Sequence, residues 1–258
     1  AIITHLHSIK WQNFKQKSNS HFMYLEDDIL ISDRNIFYCI YFRKILKKFN
    51  LIPGFLTNKT IYKDFLKDDR FDCEVLEFIA SESADETIEN YAKRLSKKID
   101  QSQPFSILGT SFGGILAVEI SKQLPPRSVI FISSVKNRKE MNPLMKWEKS
   151  SSLLDFIPSK LVKKTIEAGY TIGSKIVPDL REIDNEEINE MVHSINGRLE
   201  KWIIKKINTW HGENPMEEFL HLHGDKDHVF PLKNIENYEV IKGGNHNMIL
   251  TKSEEIRN

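Results

Sequence analysis

Short apolar blocks alternate with amphipathic stretches from about residue 46 onward. Phe49, Leu51 and Ile52 read as a buried strand over 49–52, closed by Pro53-Gly54-Phe55. The spacing of Ile61, Phe65 and Leu66 predicts a helix over about 58–68. Residues 73–79 alternate enough to predict a second, partly covered strand. Ser83-Ala84-Asp85-Glu86 fits the S-x-x-E capping box and predicts a helix to about Ile99, with Ile88, Tyr91, Ala92, Leu95 and Ile99 on one face. A strand ending at Leu108, an apolar helix to Leu124 and a strand over 129–132 follow. Strands alternating with helices predict an α/β chain whose mostly parallel sheet is covered on both faces.

The alternation stops between Ser133 and Pro215, where only helical patterns appear. One runs from Ser159 to Ala168 and is predicted to stop at Gly169. A second starts at Asn185 with Ile188, Met191 and Ile195 on one face, and a third carries Leu199, Trp202, Ile203 and Ile207. The predicted organisation is a core of 45–133 and 216–258 interrupted by a helical insertion over 134–215. Such an insertion at the carboxyl edge of a sheet reads as a lid, or as a plain helical subdomain. Strands resume at Phe219 to Gly224 and at Tyr238 to Ile241. Thr251 to Asn258 reads as the first turns of a helix that would continue past this C-terminus. Residues 1–44 read either as two or three antiparallel edge strands or as an unstructured leader.

Composition narrows the class. A 258-residue chain with 40% hydrophobic residues, 28% charged residues and a net charge of +1 is ordinary for a globular domain. The charge gives no reason to expect a nucleic-acid or anionic-membrane partner. Cys39 and Cys73 form neither a disulfide framework nor a metal motif and read as buried free thiols, which suits a cytoplasmic location. No stretch has the length and apolarity of a membrane span, and residues 1–20 do not read as a signal peptide. The expected partner is a small molecule, bound by a monomer or homodimer.

The chemistry centres on Gly109-Thr110-Ser111-Phe112-Gly113-Gly114, between a predicted strand and a predicted helix. In that context G-x-S-x-G forms a nucleophile elbow, where small flanking residues let the strand end and helix start approach. The pattern arises by chance about 0.1 times in a chain this long, so its weight depends on partners. Serine needs a base, and the base needs an acid to hold its tautomer. Asp225 and Asp227, then His246, follow Ser111 in the order this arrangement uses, each just past a predicted strand.

These segments, with Phe230-Pro231 and Gly243-Gly244-Asn245-His246, make residues 46–258 resemble the α/β-hydrolase fold family, and in particular small bacterial serine hydrolases with a helical lid inserted after the sixth strand. The resemblance implies Asp227 rather than Asp225 as the acid, three residues beyond Gly224, with Asp225 left as a turn residue. It implies His246 as the base and the backbone N–H groups of Phe112 and Phe55 as the oxyanion hole. The family commonly has His-Gly-x where this chain has Pro53-Gly54-Phe55. The short span from Asp227 to His246 leaves room for only a turn or two of helix. The implied reaction is hydrolysis of a carboxylic ester or thioester through an acyl-enzyme, with no cofactor or metal. C–C bond hydrolysis, acyl transfer and non-catalytic ligand binding are the alternatives.

Several residues carry blander readings. His221 and His223 on a strand are read as packing or backbone-bonded groups, and His228 is a weak rival base. Glu119 is read as a structural carboxylate, and Trp147, Trp202 and Trp210 as core. Lys136, Arg138 and Lys139 are read as a solvated basic turn before an acidic-group site, and Glu140 as a weak rival acid.

Overall fold

In a computed structural model of the chain, which describes Ile2 and residues 48–146, 154–176 and 185–258, the predicted strands join into one parallel sheet. Its strands are β1 (Lys48–Ile52), β2 (Asp72–Val75), β3 (Ser106–Thr110), β4 (Val129–Ile132), β5 (Phe219–Gly224) and β6 (Glu239–Ile241), in the spatial order β2-β1-β3-β4-β5-β6. Register pairs Ile52 with Gly109, Thr110 with Ile132, Ile132 with Leu222 and Gly224 with Ile241. The carboxyl ends therefore line up along one edge, and the loops that leave them share one surface. The readings of residues 1–44, of Cys39 and of Trp147 lie outside the described residues.

Alternation within each strand sends side chains to opposite faces. Leu51, Leu108, Ile130, Ile132, Leu220 and Leu222 pack on one face with Tyr62, Phe65, Met248 and Ile256. Ile52, Ile107, Val129 and Phe131 pack on the other with Tyr91, Leu95, Ile115 and Leu116. Both faces are covered, so every residue of β3 and β4 is buried, and β4 reads as a continuous apolar run.

Helices α1 (Lys63–Lys67), α2 (Ile88–Ser96) and α3 (Phe112–Gln123) follow β1, β2 and β3. The first differs from expectation. A 3-10 turn, Lys59–Tyr62, precedes α1, and the change of period turns Leu66 out to 46% exposure while Ile61 and Phe65 stay buried. The second strand ends at Val75, not residue 79. The predicted capping box does not form. The cap of α2 is Thr87, whose Oγ1 accepts from the Asn90 N–H at 3.2 Å. Glu86 instead accepts from the Glu82 N–H and twice from Arg94, at 2.7, 2.8 and 2.9 Å.

Between β4 and β5 lie α4 (Ser159–Ile176), α5 (Asn185–His193) and α6 (Arg198–Thr209). An antiparallel bridge between Asn137 and Glu213 brings the two ends of this segment together. Gly169 does not end α4. It is exposed with open space around it, so it only weakens the helix, by about 1 kcal/mol relative to Ala. Ile188, Met191 and Ile195 of the second pattern, and Trp202 and Ile203 of the third, are buried. After β5 the chain makes a single 3-10 turn, Leu232–Asn234, before β6, then ends in α7 (Met248–Thr251) and α8 (Ser253–Arg257). No helix among the described residues is long and apolar enough to cross a membrane.

Candidate active site

Ser111 sits between β3 and α3 with φ of 53° and ψ of −118°, a left-handed backbone that costs a non-glycine residue about 1–3 kcal/mol. Close packing enforces it. A Cβ at Gly113 would collide with the Ile52 carbonyl oxygen, and one at Gly109 would strike the Gly113 backbone. The Ser111 N–H donates to the Ile132 carbonyl at 3.0 Å, and its own carbonyl accepts from Ser134 Oγ at 2.6 Å. Tyr62 braces the turn from below, its hydroxyl 2.7 Å from the Ile52 carbonyl and 2.8 Å from Thr110 Oγ1. Burial pushes the Tyr62 phenol far up, so it stays protonated. Sequence reasoning missed Tyr62 and Ser134, because each acts across long chain separations.

Ser111 Oγ lies 2.9 Å from His246 Nε2, and His246 Nδ1 lies 2.9 Å from Asp227 Oδ2. Asp227 Oδ1 accepts from the backbone N–H groups of Val229 and Phe230, both at 2.9 Å. Burial pushes the Asp227 carboxyl up, but the charge and hydrogen bond of His246, with His223 and the Phe230 amide, hold it below its ordinary value. An ionised Asp227 accepts the proton on Nδ1, so Nε2 is left to accept the Ser111 hydroxyl. Phe230 also stacks edge-on against the imidazole, its centroid 5.5 Å away. Asp225 is exposed and accepts from the Gly243 N–H at 2.7 Å, the turn role expected of it.

Phe112 is the first residue of α3, so its N–H has no carbonyl one turn back in the helix to bond. The loop after β1 lies against the serine: a Cβ at Gly54 would stand 3.1 Å from Ser111 Cβ. That places the Phe55 residue next to the elbow, and the missing histidine of the His-Gly-x pattern leaves this approach intact.

The remaining candidates resolve differently. Of Lys136, Arg138 and Lys139, read as a solvated turn, only Lys139 is exposed. Lys136 is buried at 5% exposure, pairing with Glu140 at 2.6 Å, and its ammonium also reaches His221 Nδ1 at 2.7 Å and the Glu236 carbonyl at 2.6 Å. Arg138 donates to the Asn208 and Trp210 carbonyls, each at 2.8 Å, tying down the end of α6. Glu140 is consumed by the Lys136 pair and takes no part in the Ser111 constellation. His228 is exposed. Glu119 Oε1 accepts from Trp210 Nε1 and Lys122 Nζ, both at 2.7 Å, while Oε2 has no partner among the described residues. Trp202 and Trp210 are core, as expected. Cys73 is partly buried, and burial pushes its thiol up to about 12. His221 and His223 alternate onto one face of β5, a pattern visible in sequence as His-x-His.

The sheet order, the crossover helices and the elbow define the α/β-hydrolase fold, and the chain has that fold. Solved structures agree. A thermophilic esterase from Thermogutta terrifontis matches with a TM-score of 0.59 at 16% identity, over 81% of this chain and 86% of its own. MenH from S. aureus matches at 0.60 and 16%, over 81% and 90%. An epoxide hydrolase from Bacillus megaterium matches at 0.57 and 14%, over 82% and 91%. No family model matches the chain, and no curated protein matches its sequence. The neighbours' names span different reactions, so the reaction must be argued from the site.

Proposed function

We propose that the chain is a serine hydrolase that cleaves carboxylic esters or thioesters of small to medium acyl substrates through an acyl-enzyme. The observation that carries this reading is the unbroken hydrogen-bonded series Ser111 Oγ, His246, Asp227, with the serine on a left-handed turn at the sheet's carboxyl edge. Ser111 Oγ attacks the acyl carbonyl as His246 Nε2 takes its proton. Asp227 holds the tautomer and supports the imidazolium. The imidazolium then protonates the departing alkoxide or thiolate, leaving Ser111 acylated. Water, deprotonated by His246, attacks the acyl carbon, and the acyl–Oγ bond breaks as the imidazolium returns that proton to Ser111 and the acid leaves. The Phe55 and Phe112 amides would hold the oxyanion in both steps, each worth about 3–4 kcal/mol in the transition state.

Residues 134–215 are the lid in this reading, and they choose the acyl group. The experiment is hydrolysis of p-nitrophenyl esters of graded acyl length, by the intact chain and by Ser111→Ala. Turnover lost by about 10⁴-fold or more in Ser111→Ala is expected. Equal turnover in both proteins would remove the assignment. A large ligand-induced thermal shift without product would favour a binding protein on this fold.

A further inference from the structure

Asp227 has two imidazole neighbours. His246 Nδ1 is 2.9 Å from Oδ2, and His223 Nε2 is 3.4 Å from the same oxygen. His223 is fully buried and makes no contact with Ser111, so the proposed reaction leaves it unused.

Every proton around it can be assigned from partners. His223 Nε2 lies 2.8 Å from the Phe230 carbonyl, which only accepts, so Nε2 carries a proton. Its Nδ1 lies 3.2 Å from His221 Nε2, and the two rings stand perpendicular at 82°. His221 Nδ1 faces the Lys136 ammonium at 2.7 Å and accepts from it. The three N–H groups of Lys136 are then spent on His221, Glu140 Oε1 and the Glu236 carbonyl. Glu140 closes the chain by accepting from the Lys136 and Glu236 backbone amides at 2.7 and 3.1 Å. Burial first, and then the nearby Lys136 charge, holds His221 well below its ordinary pKa. Burial lowers His223 as well, partly opposed by Asp227. Both rings are neutral, and the hydrogen bonds run one way, from Lys136 to His221 to His223 to Phe230.

Phe230 is where this chain meets the constellation. Its N–H holds Asp227 Oδ1, its ring walls His246, and its carbonyl is held by His223. We infer that His223 is a positioning residue for Asp227, locked as the Nε2–H tautomer by a buried hydrogen-bond chain that starts at the Lys136–Glu140 ion pair, and that by holding the Phe230 carbonyl it fixes the Phe230 backbone, whose N–H keeps the carboxylate facing His246. The kinetic consequence rests on the Ser111–His246–Asp227 reading, whereas the tautomer does not.

The test on the intact chain is nitrogen-15 NMR of labelled histidine at about pH 7. His221 and His223 should both appear as neutral Nε2–H tautomers. A proton on His223 Nδ1, or a doubly protonated His223, would overturn the inference whether or not the protein hydrolyses esters. For the kinetic part, His223→Leu should lower kcat about tenfold to a hundredfold with KM little changed, as expected when a reacting group is misplaced. His223→Gln, which keeps an N–H toward the Phe230 carbonyl, should restore most of kcat. A folded His223→Leu with full kcat would overturn the positioning role.

Discussion

At the carboxyl edge of the sheet, backbone lies against backbone. Gly113 sits on the Ile52 carbonyl, Gly109 on Gly113, and Gly224 on Gly244, with no room for a methyl group at any of them. Between β4 and β5 the segment closes on itself through the Asn137–Glu213 bridge, but side chains tie it to its neighbours. Trp202 reaches the Glu86 carbonyl at 3.0 Å and stacks on Tyr91 at 4.5 Å, and Arg138 holds two carbonyls near the end of α6. This segment also leaves Phe156 85%, Leu161 54% and Ile172 57% exposed. The difference separates two tasks. Contacts between backbones fix the turns that carry Ser111, Asp227 and His246, while side-chain contacts would let the segment after β4 vary without disturbing them.

The largest expected effect strikes the first region. Gly113→Val drives a branched side chain into the Ile52 carbonyl, and chemical denaturation should show a loss above about 4 kcal/mol or no folded protein at all. A folded, active Gly113→Val would break the contrast. Next, Trp202→Ala removes an anchor of α6 and should cost about 3–5 kcal/mol, while Ser111, His246 and Asp227 stay in register. If activity falls as completely as in Ser111→Ala while the protein remains folded, the two regions are not separable.

Intermediate in size is a pH effect from the buried side of β5. His221 and His223 have folded pKa values below their unfolded ones, so the unfolded chain binds protons that the folded chain refuses. Their stability contribution is complete above about pH 6.5 and declines as pH falls below it, by up to about 1.4 kcal/mol per pH unit for each ring. Urea denaturation at stepped pH reads this directly, and His221→Phe should flatten the slope. Smallest is Leu161→Lys on the exposed face of α4, expected to stay within about 0.5 kcal/mol of the parent protein.

Sheet and elbow were legible because their signals are local. A strand buried on both faces such as β4 reads as an unbroken apolar run, and the elbow's glycines are required within five consecutive residues. Asp225, Asp227 and His246 were legible as candidates because each follows a strand end, and the resemblance to the α/β-hydrolase fold family chose Asp227 over Asp225. Local signals also misled. Ser83 to Glu86 fits a capping box, yet Arg94 claims the carboxylate and Thr87 takes the cap. Gly169 resembled a stop, but an exposed glycine with nothing against it merely weakens a helix. Lys136 was misread as solvated because the partner that buries it, His221, lies 85 residues away. Pairings at that range leave no trace in spacing.

The central claim is that Ser111 is a nucleophile activated by His246. Its most direct test is mass spectrometry of the intact chain after exposure to a fluorophosphonate, with peptide mapping of the adduct. One adduct per chain is expected, on Ser111, with labelling slowed by orders of magnitude in a His246→Gln variant. An adduct elsewhere, or labelling of Ser111 at an undiminished rate without His246, would contradict it.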